Sequence, residues 1–128
     1  MIVGLGLDIV ELDRIRAIYQ RHPERFPRRI LTEAESAYVL RHKDPTERLA
    51  GRWAAKEAAL KALGTGLAAG IRWRDVEILP DARGKPCLHL HAKARDRAAE
   101  LGATQGHVTI THGRDIAVAQ VILERLEP

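Results

Sequence analysis

One stretch, Thr46-Glu-Arg-Leu-Ala-Gly-Arg-Trp-Ala-Ala-Lys-Glu-Ala-Ala-Leu-Lys-Ala-Leu-Gly-Thr-Gly66, constrains the fold of this chain more than any other. Its Ala and Leu content predicts a single long helix, and Gly64 supplies a natural C-cap. At about 100° per residue, Leu49, Trp53, Leu60 and Leu63 fall on one stripe, so that face is expected to meet the core. Lys56 lies within the stripe, Glu57 at its edge, and Lys61 one turn further on. A charged residue seldom faces a core unless it is paired or used. The plain explanation is a lysine stem that snorkels beside an ordinary i,i+4 Glu57–Lys61 surface pair. The alternative is that the helix carries a site.

A chain of 128 residues has room for one core, so residues 1–128 are read as one domain. No apolar run approaches a membrane span, and Met1-Ile-Val-Gly-Leu-Gly-Leu-Asp8 lacks a basic leader and cleavage site. The expectation is a cytoplasmic protein with no membrane association. Cys87 is the sole cysteine; it excludes an internal disulfide and is expected to pack as a small hydrophobe. Lys and Arg exceed Asp and Glu by 21 to 17, a net charge of +4, which favours an anionic partner. Aromatics make up only 4% of the chain, so base-stacking platforms are scarce, which weakens the single-stranded nucleic-acid option; no nucleic-acid partner is expected.

Ile2-Val-Gly-Leu-Gly-Leu runs into Asp8-Ile-Val-Glu11 and reads as a buried strand with an acid at its end. Gly4 and Gly6 on one side of it predict that another backbone passes close. From Glu11 to about His22, Leu12, Ile15, Ile18 and Tyr19 recur at helical intervals until Pro23 ends the pattern. Arg14, Arg21 and Arg25 flank that stripe, with Arg16, Arg28 and Arg29 close by, and Glu24 is the only acid among them. Such a face is either simply solvated or docks an acidic partner, because guanidinium forks match carboxylates.

Thr32-Glu-Ala-Glu35 reads as a capping box opening a second helix to about Arg41, and Lys43-Asp-Pro-Thr46 breaks the chain before the long helix. Gly64-Thr-Gly-Leu-Ala-Ala-Gly70 is a glycine-rich connector that lacks the Walker lysine and follows no strand, so it is no P-loop. Its backbone N–H groups can still approach a phosphate or adenosine. Asp75–Leu79 and Pro86–His91 predict an antiparallel hairpin around residues 80–85. His89 and His91 share a strand face, but no third ligand lies nearby in sequence, so they are read as solvent-side residues. Residues 93–101 predict a helix stopped by Gly102. His107–His112 and Ile116–Leu123 predict a second hairpin whose last strand, nearly all apolar, is central. The order β-α-α-α-β-β-α-β-β is an α+β fold, with a long amphipathic helix on a mostly antiparallel sheet.

Asp8 at a strand end, with Glu57 and Lys61 on the long helix, forms a donor set suited to Mg2+, which keeps several waters and seldom has an all-protein cage. A neighbouring ammonium would stabilise charge on a phosphate during transfer. On the residues alone this is a phosphoryl-type site of low specificity, since sequence does not show that the two acids meet.

Gly6-Leu-Asp-Ile-Val-Glu-Leu-Asp-Arg-Ile15 and Arg52-Trp-Ala-Ala-Lys-Glu-Ala-Ala-Leu-Lys-Ala-Leu-Gly-Thr-Gly66 together resemble the holo-[acyl-carrier-protein] synthase family, the small bacterial-type class of 4′-phosphopantetheinyl transferases. Asp81-Ala-Arg-Gly-Lys-Pro86 and Val108-Thr-Ile-Thr-His112 match further landmarks in order, nearly end to end. The resemblance implies transfer of the 4′-phosphopantetheine group of coenzyme A to a serine of apo-acyl carrier protein in fatty acid biosynthesis, releasing adenosine 3′,5′-bisphosphate. It implies that Asp8 and Glu57 hold Mg2+ against the pyrophosphate, and that Glu57, directly or through a metal-bound water, takes the serine proton. Lys61 would contact the phosphates and assist departure of the nucleotide. Arg52 and His112 would lie near the adenosine 3′-phosphate, with Gly64, Thr65 and Gly66 beside the nucleotide. Arg14, Arg21 and Arg25 would receive the acidic helix of the carrier, in agreement with the charge reading of the first helix.

The resemblance also implies a homotrimer with active sites at subunit interfaces, so that Asp8 and Glu57 pair within a site shared by two chains. Departures from the family pattern are Thr109 at a position that is often Ser, a variable length between Arg14 and Phe26, and His22 and Glu24 interrupting the basic run. The role of Lys56 stays open between a phosphate contact and a buried pair with an acid, such as one from the first helix. Two other readings compete. A small basic RNA-binding module would explain the charge but leaves Asp8, Glu57 and Lys56 without purpose. A Mg2+-dependent phosphodiesterase shares the metal but usually needs more acidic ligands.

Overall fold

The computed structural model describes residues 1–127. Strand β1 (Ile2–Glu11) pairs antiparallel with β5 (Ile116–Glu124), which pairs on its other side with β4 (Gln105–His112). The order β1-β5-β4 makes the apolar β5 the central strand, as its composition predicts. β2 (Val76–Pro80) and β3 (Pro86–Leu90) form a separate antiparallel hairpin. Between β1 and β2 run α1 (Leu12–Arg21), α2 (Arg25–Ile30), α3 (Glu33–Val39) and α4 (Thr46–Leu63), and α5 (Ala92–Glu100) joins β3 to β4.

The local signals hold where they are specific. Glu35 N donates to Thr32 Oγ1 at 3.2 Å and Thr32 N to Glu35 Oε1 at 2.8 Å, the reciprocal capping box that opens α3. Gly64 closes α4 at φ 76°, its N–H shared between the Leu60 and Lys61 carbonyls. His89 and His91 are exposed, and His91 Nε2 stands 3.0 Å from Glu77 Oε1.

Three features differ from the sequence reading. α2 is an additional helix: it has only six residues, too few for a periodic pattern, and Pro27 fits because first-turn N–H groups need no partner. α4 is buried almost all round. Ala50, Ala54, Ala55, Ala58, Ala59 and Ala62 let β1 and β5 close on one side while other elements cover the rest. Beyond the first turn, where Glu47 is exposed and Arg48 half-buried, what remains accessible is a narrow edge of Trp53, Glu57 and Lys61 on successive turns; Trp53, expected in the core stripe, is only half-buried, and Lys56 is fully enclosed. β1 is buried on one face only. Gly4, Gly6 and Val10 turn toward α4, while Leu5, Leu7 and Ile9 are 56%, 58% and 62% exposed.

The two glycines of β1 sit where their spacing predicts a close backbone. A Cβ at Gly6 would collide with the Ala58 carbonyl and one at Gly4 with that of Ala62, so β1 and α4 meet main chain to main chain.

Candidate active site

Asp8 lies two residues beyond Gly6 on the same face of β1, which turns it toward α4. Lys61 Nζ donates to Asp8 Oδ1 at 3.1 Å and to the Leu7 carbonyl at 3.0 Å. The Asp8 side chain is largely covered, at 15% exposed, whereas that of Lys61 is 54% exposed. Glu57 stands one turn before Lys61. Burial pushes the Glu57 carboxyl above its ordinary range, the Asp8 charge pushes it the same way, and Lys61 and Arg14 act against them. Two carboxylates thus share one neighbourhood with two cations, Lys61 and Arg14. The Asp8 charge acts on Glu57 within a single chain. Among the described residues, no third His, Cys, Asp or Glu joins them in a metal-ligand cluster.

An aromatic floor adjoins this group, which the sequence reading did not assemble. Trp53 stacks on Trp73 with centroids 4.8 Å apart and lies 5.9 Å from Phe26. The Arg14 guanidinium sits 5.6 Å over the Trp53 ring, so α1 is tied to the accessible edge of α4. The available signal was the helical interval Trp53–Glu57–Lys61; Trp73 and Phe26 are too distant in sequence to be grouped with it.

Lys56 faces away from this edge. Its ammonium donates to Glu35 Oε1 at 2.8 Å, to the Trp73 carbonyl at 3.2 Å and to the Val76 carbonyl. Both charged side chains are 0% exposed. Burial pulls the lysine below its ordinary pKa, and Glu35 pulls the other way. The question left open by sequence is therefore answered: Lys56 is a buried structural pair, with an acid of α3 rather than of the first helix.

The remaining predicted residues are dispersed. Arg52 lies about 140° around α4 from Glu57 and packs on the Tyr38 ring at 5.0 Å. It is buried, burial lowers its pKa, and its Nε has no hydrogen-bond partner. Arg41 covers the same ring at 4.9 Å, and Arg48 adds charge nearby, a basic group around Tyr38 and His42 that the sequence reading did not assemble. His112 Nε2 is 3.1 Å from the Glu47 carbonyl, and its ring lies against Gly51, where a Cβ would stand 3.0 Å from Nε2. That is roughly 9 Å along α4 from Glu57. Arg52 and His112 therefore do not join the Asp8–Glu57–Lys61 group within one chain. Gly64, Thr65 and Gly66 follow the end of α4, beginning three residues after Lys61, with Gly66 also at positive φ, 58°. Arg21 and Arg25 are exposed on α1 and α2; Arg25 Nη2 approaches His22 Nδ1 at 3.3 Å, and neither arginine pairs with a carboxylate among the described residues. None of the described helices is long and apolar enough to cross a membrane.

The 4′-phosphopantetheinyl transferase superfamily model matches residues 4–121. Over 124 residues the chain is 56% identical to the holo-[acyl-carrier-protein] synthase of Solidesulfovibrio magneticus, spanning 97% of this chain and 99% of the relative. Its fold is similar to the crystal structure of holo-[acyl-carrier-protein] synthase from Neisseria meningitidis, with TM-score 0.87, 35% identity, and coverage of 98% and 100% of the two chains. It is also similar to the Bacillus anthracis holo-(acyl-carrier-protein) synthase in complex with CoA (3′,5′-ADP), with TM-score 0.82, 41% identity, and coverage of 98% and 99%.

Proposed function

The chain belongs to the 4′-phosphopantetheinyl transferase superfamily, and from that membership we propose which of its residues carry out the reaction. It is an enzyme of the holo-[acyl-carrier-protein] synthase kind: it transfers the 4′-phosphopantetheine group of coenzyme A to a serine of apo-acyl carrier protein and releases adenosine 3′,5′-bisphosphate. The RNA-binding and phosphodiesterase readings gain no support. The observation that carries the site assignment is the convergence of Asp8, Glu57 and Lys61 where β1 meets α4. In this reading residues 1–128 act as one catalytic domain.

The donor set fits a divalent cation, because two carboxylates supply hard oxygen donors and a cation would favour the ionised form of Glu57, which burial and the Asp8 charge disfavour. With only two protein acids in the group, Mg2+ is the ion that suits, since it retains waters and substrate phosphates. Asp8 and Glu57 would hold it, and when bound it neutralises charge on the pyrophosphate. Glu57, its pKa raised toward the working range of a base, accepts the proton of the carrier serine. The serine oxygen bonds to the pantetheine-side phosphorus as the bond to the nucleotide's phosphate oxygen breaks. Lys61 uses two of its three N–H groups on Leu7 and Asp8 and keeps the third for a phosphate oxygen, which offsets charge on the leaving nucleotide.

Arg14, Arg21 and Arg25 dock the acidic carrier; their exposure and lack of carboxylate partners support this. Arg52 and His112 take the adenosine 3′-phosphate, and Gly64–Gly66 flank the nucleotide. The partnerless Nε of Arg52 supports an acceptor there. Because these residues stand apart from Asp8 in one chain, the complete site is assembled across a subunit boundary of a homotrimer. The outer sheet face supports such assembly: exposed Leu5, Leu7 and Ile9 pair in register with Ile122, Gln120 and Val118, a largely apolar surface that this chain does not cover. The reading also makes the enzyme cytoplasmic. Mass spectrometry of apo-acyl carrier protein incubated with the protein, coenzyme A and Mg2+ tests the function. The expected result is the phosphopantetheine mass increment, and its absence with a competent carrier would refute the function.

A further inference from the structure

We infer that Lys56 and Glu35 form a positioning pair for the transfer reaction, an inference that rests on the function proposed above. The three N–H groups of Lys56 are all used, on Glu35, Trp73 and Val76. Trp73 and Val76 bracket the 3₁₀ turn (Trp73–Asp75) at which the glycine connector re-enters the fold. Glu35 is equally committed: Oε1 also accepts from Thr32 N, and Oε2 accepts from Ile78 N at 2.9 Å. One buried point thus joins α3, α4, the 3₁₀ turn and β2. The clamp extends to the site through stacking, since Trp73 lies on Trp53, which stands one turn before Glu57 and carries Arg14. Lys56 is covalently next to Glu57, so the same helical turn holds the connector on one side and the carboxylate on the other.

Stability alone does not account for such a pair. A buried ion pair contributes little net stability relative to apolar residues of similar volume, whereas directed bonds to two carbonyls fix where the turn sits. Apolar replacements would fill the space and leave the turn, with Trp73 and Trp53, free to shift against Glu57. A displacement of that kind lowers turnover more than carrier binding.

The test uses the full chain with both residues replaced, as Lys56→Met with Glu35→Met and, as a second pair able to hydrogen-bond, Lys56→Gln with Glu35→Gln. Leu49→Ala, a cavity in the same helix, is the control for lost stability. The double variants are expected to melt cooperatively, with altered near-ultraviolet circular dichroism from the tryptophan stack. Their kcat should fall about tenfold to a hundredfold while KM for the carrier stays nearly unchanged. Wild-type kcat in a folded double variant, or a loss no greater than in Leu49→Ala at matched stability, would overturn the inference. If the wild-type protein itself fails to load the carrier, the function fails instead, and the tryptophan signal still decides whether the pair positions the turn.

Discussion

Gly6 of β1 and Ala58 of α4 touch through their main chains, leaving no room at residue 6 for even a methyl group. The contact sets the strand bearing Asp8 directly on the helix bearing Glu57. Gly6→Ala must push backbone against backbone and is expected to destabilise the fold by about 3 kcal/mol, read from urea unfolding. An unchanged midpoint would mean that the two elements are not in such contact.

Glu57 makes stability depend on pH. Its carboxyl is raised above the ordinary 4.5 by burial first and by Asp8 second. A carboxyl raised on folding contributes stability that is complete below its unfolded pKa and is lost as pH rises through the folded one. The melting temperature in metal-free buffer should therefore decline above pH 4.5, and Glu57→Gln should remove that decline. Added Mg2+, which favours the ionised carboxylate in the folded state, should lower the folded pKa and shrink the decline. A Gln variant with the wild-type profile would assign the titration elsewhere.

Turnover is expected to depend on the two acids. Asp8→Ala and Glu57→Ala are each expected to abolish carrier loading while circular dichroism shows the fold intact. Full activity in either would remove the metal assignment.

The arginines should separate kinetically. Arg21 is exposed and is not among the charges acting on Glu57, so Arg21→Glu is expected to raise KM for the carrier about tenfold and to weaken its salt dependence. Arg14 lies over Trp53 and within the field of Glu57, so Arg14→Glu should lower kcat as well. A change confined to coenzyme A affinity would move docking away from α1.

The outer face of β1 is the proposed seat of assembly. Leu7→Asp should leave cooperative unfolding in place while light scattering reports a single chain instead of a trimer, and loading should fall with it. A trimer mass in that variant would place the subunit contact on another surface.

Much of this fold was legible because its signals are local. The capping box at Thr32 and the C-cap at Gly64 each act within a few residues, and both stand where their spacing predicts; the glycines of β1 announce a close backbone by their spacing, but not that it is the backbone of α4. The partner of Lys56 was not legible. Glu35 could be read as a capping acid, but a carboxylate has lone pairs beyond the cap, and nothing local says that they reach a lysine and a strand N–H. The acids of the site were legible as residue types, while their convergence depends on how β1 crosses α4. The exposure of Leu5, Leu7 and Ile9 marks another limit, since an apolar run reads the same whether its own chain or another copy covers it.

The contact of β1 with α4 has a consequence for ligand binding. Where main chains touch, the spacing of the two elements does not depend on which rotamers intervening side chains adopt. In the proposed assignment, little backbone freedom would remain to be frozen when an ion or a pyrophosphate arrives, so the protein's share of the entropic penalty would fall on the Glu57 and Lys61 side chains. The backbone of the proposed site is already arranged.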